Sequence, residues 1–187
     1  KNISDINIDQ YGILSEDIIL LSVSRLEYWK RVDRIIYAFA SAQKVCANLK
    51  YMIIGGGPEF ERLRSLTTLL GVENKIIFTN KKPHSFVSSF IRRADIFASC
   101  YEHSNMANPV IESCLCGKPI ISINDGTTQD ILIDKYNPIF TLMLPITFKS
   151  HVPIGYTNRN IYWYFKINYI SIIYYIIVII YTAQWMI

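Results

Sequence analysis

The chain has 187 residues, 51% of them apolar, enough for one domain with a full core and little more. Its net charge is +4, but residues 151–187 carry only Arg159 and Lys166 and no acid, so residues 1–150 hold 17 of the 19 cationic residues and all 15 acidic ones. That near-balance excludes the dense basic stripe of a nucleic-acid-binding surface, while leaving cations for a phosphate ligand.

The opening KNISDINIDQYG is polar and has no apolar run of the kind a secretory leader carries. Residues 18–24 form a continuous apolar run bounded by polar residues, which predicts a strand buried on both faces. In RLEYWKRVDRIIYAFASAQKV, Val32, Ile35, Ile36, Phe39 and Ala40 recur at helical spacing. KYMIIGGG predicts a second buried strand. PEFERLRSLTTLLG predicts a helix, with Pro58 in its first turn and Gly71 at its end. KIIFTN, SFVSSFIRRA, DIFASCY, NPVIESCLC and KPIISIN continue as strand, helix, strand, helix and strand. This alternation predicts an α/β domain, a Rossmann-like doubly wound parallel sheet with helices on both faces.

Cys46, Cys100, Cys114 and Cys116 fit no zinc spacing, and C-x-C on a helix points its two thiols apart. They read as reduced, small apolar side chains of a cytoplasmic protein. No metal site is expected.

Past Asn137 the alternation fails. Residues 135–187 contain no acid, and Ile167 to Ile187 is a run of 21 residues, nine of them Ile, without a charge. A run of ~20 apolar residues is long enough to cross a bilayer. Tyr162, Trp163, Tyr164 and Trp185 would suit its interfaces. The same Ile, Tyr, Asn, Lys and Phe bias is what a translated AT-rich non-coding stretch yields. The segment therefore has three readings: translation artefact, membrane-associated segment, or soluble element.

In doubly wound sheets ligands bind beyond the carboxyl ends of the strands. The residues there are Ser24-Arg25, Gly55-Gly56-Gly57, Thr79-Asn80-Lys81, Tyr101 to Asn108 and Asn124 to Thr128. Arg25 leaves the first strand and Lys30 lies near the next helix start, a pairing that suits a diphosphate. As residue types alone, a solvated basic face is the simpler reading. GGGPEF lacks the third glycine of the dinucleotide fingerprint, which weakens a NAD-dependent oxidoreductase reading. Its glycines suit close backbone approach and a sharp turn. Asn108 is expected as an N-cap and Pro109 as the first helical residue, which puts Glu112 in the first turn. There the carboxylate suits the helix dipole, or accepts from the vicinal hydroxyls of a sugar, with Ser104, Asn105 and Asn108 adding polar groups.

Taken together, SVSRLEYWKRVDRII, YMIIGGGPEFERL, GVENKIIFTN and ADIFASCYEHSNMANPVIESCLCGKPII resemble, in order and spacing, the C-terminal, donor-binding half of retaining GT-B glycosyltransferases of the group 1 type. The resemblance covers residues 1–135. It implies an interdomain linker remnant at 1–16, a nucleotide-sugar-binding domain at 17–140 and an atypical apolar tail at 141–187. By the same resemblance Arg25 and Lys30 are catalytic, neutralising the donor diphosphate and stabilising the leaving nucleotide. Glu112 matches the second glutamate of the family's E-x7-E motif and would hold the ribose, with the base near Thr79 and Asn80. Ser104, Asn105, Met106, Ala107 and Asn108 would line the donor site. Three departures stand out. Ser104 occupies the place of the first glutamate, and Glu102 comes two residues too early. Asn105-Met106-Ala107 replaces the usual glycine-rich loop, in keeping with a family branch that carries S-N-x-x-N-P there. Ser24 stands where glycine is common.

The implied donor is a UDP- or GDP-sugar, taken as substrate, with no metal or other cofactor. The implied partner is an N-terminal acceptor domain of similar size, or a separate acceptor subunit, without which this donor half of a truncated or disrupted enzyme would be inactive. The alternative is a non-catalytic nucleotide-sugar-binding module tethered at the membrane through 167–187.

Overall fold

The computed structural model describes residues 8–102, 107–123 and 141–144. The elements are β1 (Ile18–Val23), α1 (Val32–Gln43), β2 (Leu49–Ile54), α2 (Phe60–Leu69), β3 (Ile76–Phe78), α3 (His84–Arg93), β4 (Ile96–Ser99), α4 (Asn108–Leu115), β5 (Ile120–Ile123) and β6 (Thr141–Leu144). The strands form one sheet in the order β3-β2-β1-β4-β5-β6, and each neighbouring pair is parallel. The expected sequence of strands and helices up to β5 is present. The sixth strand was not among the expected elements. Residues 167–187, where a membrane segment was one reading, lie outside the described residues. Among those described, no helix is long and apolar enough to cross a membrane.

Strand side chains alternate between the two faces of the sheet, and the core divides accordingly. Ile18 and Leu20 of β1, Leu49, Tyr51 and Ile53 of β2, and Ile96 and Ala98 of β4 pack with Ile35, Ile36 and Phe39 of α1 and Leu63 and Leu66 of α2. The intervening residues Ile19, Leu21 and Val23, Met52 and Ile54, and Phe97 pack on the opposite face with Val87, Phe90 and Ile91 of α3 and Val110 and Cys114 of α4. Both faces of the sheet are covered, so a strand can be buried along its whole length, as β1 is.

Polar groups inside the sheet are paired with one another. The Tyr51 hydroxyl donates to Ser22 Oγ at 2.8 Å, and Ser22 Oγ donates to the Ala98 carbonyl at 2.7 Å, which joins β2, β1 and β4 across the sheet. Complete burial pushes the Tyr51 hydroxyl well above its ordinary pKa, so it stays a neutral donor. All four cysteines are free. Burial pushes the Cys100 thiol up to about 12, which leaves it an unreactive apolar group.

Two glycines set how closely the exits of β1 and β2 approach. Gly55 has φ +145°, and a Cβ on it would lie 1.8 Å from the Ser24 carbonyl oxygen. A Cβ on Gly57 would lie 2.4 Å from the Leu26 carbonyl oxygen. Backbone hydrogen bonds close the same contact: Ser24 N–H to Ile54 O at 3.0 Å, Leu26 N–H to Gly56 O at 3.2 Å and Glu59 N–H to Leu26 O at 3.0 Å. The Gly-Gly-Gly run therefore serves backbone approach between two strand exits.

The obstruction at Gly55 is backbone, which cannot rotate away. Gly55→Ala is expected to cost at least about 4 kcal/mol. Gly71→Ala, at φ +66° with open space around it, is expected to cost about 1–2 kcal/mol. Urea unfolding of the two variants measures the difference.

Candidate functional site

The sheet order reverses between β1 and β4, so the chain leaves these neighbouring strands toward opposite faces. Such a switch point opens a crevice beyond the strand ends. The β1 exit supplies Ser24 to Arg31 on one side, and the β4 exit supplies Cys100 to Glu102 on the other.

At the β1 exit, Ser24 Oγ is buried and has no hydrogen-bond partner. Arg25 projects outward, its side chain 76% exposed, and pairs with Glu27 Oε1 at 2.8 Å. Tyr28 to Lys30 form one 3-10 turn, which Arg31 ends in the left-handed conformation at φ 47°. Lys30 lies against aromatic rings: its Nζ is 3.9 Å from the Trp29 ring centroid and 3.7 Å from that of Tyr101.

Arg31, six residues past Arg25, is buried. Its Nε donates to Asp33 Oδ1 at 3.2 Å and its Nη1 to Glu102 Oε1. Arg34 Nη2 reaches the same Glu102 oxygen at 3.3 Å, and Arg62 approaches Asp33 Oδ2 at 3.5 Å. Burial pulls the Arg31 guanidinium down, but the bonds to Glu102 and Asp33 more than reverse this and leave it above its ordinary pKa. The Glu102 backbone N–H also donates to the Trp29 carbonyl at 2.9 Å. Glu102 thus clips the β4 exit to the β1 exit, and its carboxylate is committed to two arginines.

On the β3 side, Thr79 is buried with its hydroxyl directed at the carbonyls of Asn80 (3.2 Å) and Ile53 (3.4 Å). Asn80 is exposed in the left-handed conformation at φ 59°, and its carbonyl accepts from Gly55 N–H at 3.1 Å. Both residues shape the backbone between the β2 and β3 exits.

The start of α4 differs from the expectation. Its N-cap is Ala107, with no side-chain cap bond; Asn108 is the first helical residue and Pro109 the second. The helix begins one residue early because Pro109 suits either of the first two positions, having no N–H to satisfy. Glu112 consequently falls in the second turn, and no acid lies in the first. Capping and the helix dipole therefore explain Glu112 poorly, since the dipole's effect fades beyond the first turn. Its Oε1 instead meets His84 Nε2 at 2.8 Å. Its Oε2 is buried without a partner. A buried carboxylate oxygen without a donor is costly, and a ligand hydroxyl would relieve it.

Ser104, Asn105 and Met106 lie outside the described residues. Of the other expected site residues, Lys30 is drawn to the β4 exit, Arg25 stays at the surface of the β1 exit, and Glu112 sits on α4 against α3. Sequence reasoning missed His84, Tyr101 as a partner of Lys30, and the engagement of Glu102. Among the described residues no group of three His, Cys, Asp or Glu side chains is placed to hold a metal ion.

A parallel Rossmann-like sheet with polar and cationic groups gathered at its switch point is the architecture of a nucleotide-binding domain. Residues 4–141 match the family described as glycosyl transferases group 1, and the chain belongs to that family as a GT-B-type glycosyltransferase domain. It is 27% identical over 124 residues to the alpha-monoglucosyldiacylglycerol synthase of Streptococcus pneumoniae, which spans 66% of this chain and 28% of that protein. Its fold is similar to that of Anabaena HepE, whose structure was solved with UDP-glucose, with a TM-score of 0.61, 21% identity, and coverage of 68% of this chain and 35% of that one. It is also similar to WaaG, a glycosyltransferase involved in lipopolysaccharide biosynthesis, with a TM-score of 0.56, 25% identity and coverage of 65% and 32%. The chain thus spans about a third of the length of these relatives.

Glu102→Ala leaves the buried Arg31 guanidinium without its principal partner and is expected to cost about 3 kcal/mol. Arg25→Ala breaks a solvated pair and is expected to cost less than about 1 kcal/mol. Chemical denaturation of both variants checks the contrast.

Proposed function

We propose that this domain binds a nucleoside diphosphate sugar, UDP- or GDP-linked, and is the donor half of a retaining glycosyltransferase. The observation that carries the reading is Glu112 Oε2, a buried carboxylate oxygen with no donor, on the helix that follows the β4 exit. Family membership and the cations of the β1 exit support it.

In this reading a ribose hydroxyl donates to Glu112, and His84 holds the other oxygen of the carboxylate. The base lies by Thr79 and Asn80, where the exposed Asn80 follows β3. Arg25 swings from its solvated contact with Glu27 to the diphosphate, and Lys30 approaches the same group from the 3-10 turn. Ala107 and Asn108, at the start of α4, stand beside the sugar. Two cations oppose the negative charge that grows on the diphosphate as its bond to the anomeric carbon lengthens. Attack by an acceptor hydroxyl comes from the same face. The carbon–oxygen bond to the diphosphate breaks with its electron pair, and the departing phosphate oxygen takes the hydroxyl proton. A second, acceptor-binding domain completes the enzyme, and a saccharide or lipid-linked hydroxyl is the acceptor.

Calorimetric titration of the full chain with UDP and GDP tests the donor site. Saturable binding of one nucleotide is expected. Arg25→Ala, Lys30→Met and Glu112→Gln should each weaken it by about 10- to 150-fold, the range for hydrogen bonds to charged groups. A folded chain that binds neither nucleotide would refute the reading.

A further inference from the structure

We propose that Trp29 and Tyr101 are positioning residues that hold the Lys30 ammonium at the switch point and thereby set the affinity for the diphosphate. The proposal rests on the donor-diphosphate role given to Lys30 above, and it adds a device to the site.

A lysine side chain has four rotatable bonds, and an unrestrained ammonium at the rim of a crevice spends little time in any one place. Lys30 is restrained. Its Nζ lies within 4 Å of two ring centroids, 3.9 Å for Trp29 and 3.7 Å for Tyr101. An ammonium is attracted to the negative face of each ring, and indole is the strongest of the aromatic partners.

The second ring comes from the opposite wall of the crevice. Tyr101 is 4% exposed, and its hydroxyl donates at 3.1 Å to the carbonyl of Val23, the last residue of β1. Both ends of this side chain are thereby fixed, one by the β4 exit and one by β1. Trp29 is held from behind as well, because its carbonyl accepts the Glu102 N–H at 2.9 Å. The left-handed turn at Arg31 fixes the backbone just after Lys30, and Arg31 is itself held by Glu102.

The physical result is a cation presented by a rigid frame instead of a flexible stem. An ammonium carries three N–H groups, so contact with two ring faces is compatible with donation to an anion. Pre-positioning of this kind lowers the entropic cost of binding.

The test compares each nucleotide, UDP and GDP, with its own phosphate-free nucleoside on the full chain. Trp29→Leu and Tyr101→Leu remove the ring faces and are expected to weaken nucleotide binding by about three- to tenfold. Nucleoside binding should stay within about twofold of the parent. Trp29→Phe and Tyr101→Phe retain a ring and should recover most of the nucleotide affinity. In a Lys30→Met background neither leucine substitution should add a further loss.

Loss of nucleotide and nucleoside affinity in equal measure would show a merely structural role and overturn the proposal. So would an undiminished effect of the leucine substitutions in the Lys30→Met background. If Lys30→Met weakens nucleotide binding while the leucine variants bind like the parent, the cradle alone fails. If Lys30→Met binds nucleotide like the parent, or if neither nucleotide binds, the donor-diphosphate reading fails and the cradle with it. Tyr101 is buried, so its leucine variant is scored only if folded; Trp29 is 39% exposed and carries the test without that risk.

Discussion

The carboxyl edge of this sheet depends on one buried cation. Arg31 sits between the 3-10 turn and α1 in a backbone conformation that an L-residue adopts at a cost, and its guanidinium lies among Asp33, Glu102 and the side chain of Tyr28. A charge in that position is tolerable only with its partners in place. Because Glu102 belongs to the β4 exit, satisfying Arg31 brings the two walls of the crevice together. Arg34 and Arg62 extend the same network to α1 and α2. The site is therefore framed by ion pairs whose job is structural, with the cations assigned to ligand lying just outside them.

Around this frame the division of labour between apolar and polar groups is sharp. Below the crevice the sheet is closed on both faces, and its few hydroxyls bond to one another or to strand carbonyls. At the strand ends the balance changes within one residue. Ser24 Oγ, next to the last residue of β1, is buried without a partner, as is one oxygen of Glu112. The other buried side-chain nitrogen and oxygen atoms among the described residues have partners. Two orphaned atoms at one edge of the fold are where a polar ligand would restore what burial has removed.

The order of strands and helices was legible because each is a local pattern: short apolar runs for strands, Val32-Ile35-Ile36-Phe39 spacing for α1, glycine and proline at the boundaries. The role of the glycine run was legible too, since close backbone approach is what three glycines permit. The position of Glu112 in its helix was misjudged by one residue because Asn108 and Pro109 both suit helix starts, and only the backbone angles select Ala107 as the cap. β6 was missed because no helical pattern precedes it in the sequence. The contacts that define the site were the least legible. Glu102 meets Arg31 across 71 positions and His84 meets Glu112 across 28, and no periodicity encodes such pairs. Glu102 in particular comes two residues too early for the family motif, and nothing local shows that its Oε1 is engaged by Arg31 and Arg34.

The register of β1 has a consequence for how the protein acquires its site. β1 pairs along its whole length with β2, which follows soon after it, but with β4 only through Leu20–Ile96 and Leu21–Phe97. During synthesis the β1–α1–β2 unit can assemble first, since its loop closure is short. The crevice has no second wall until the chain has been extended to Tyr101 and Glu102. Until then Leu21 and its neighbours on that face lack α3, α4 and β4, and an apolar surface stands open to other chains. Docking of β4 covers that surface and, in the same step, sets the second wall of the crevice in place.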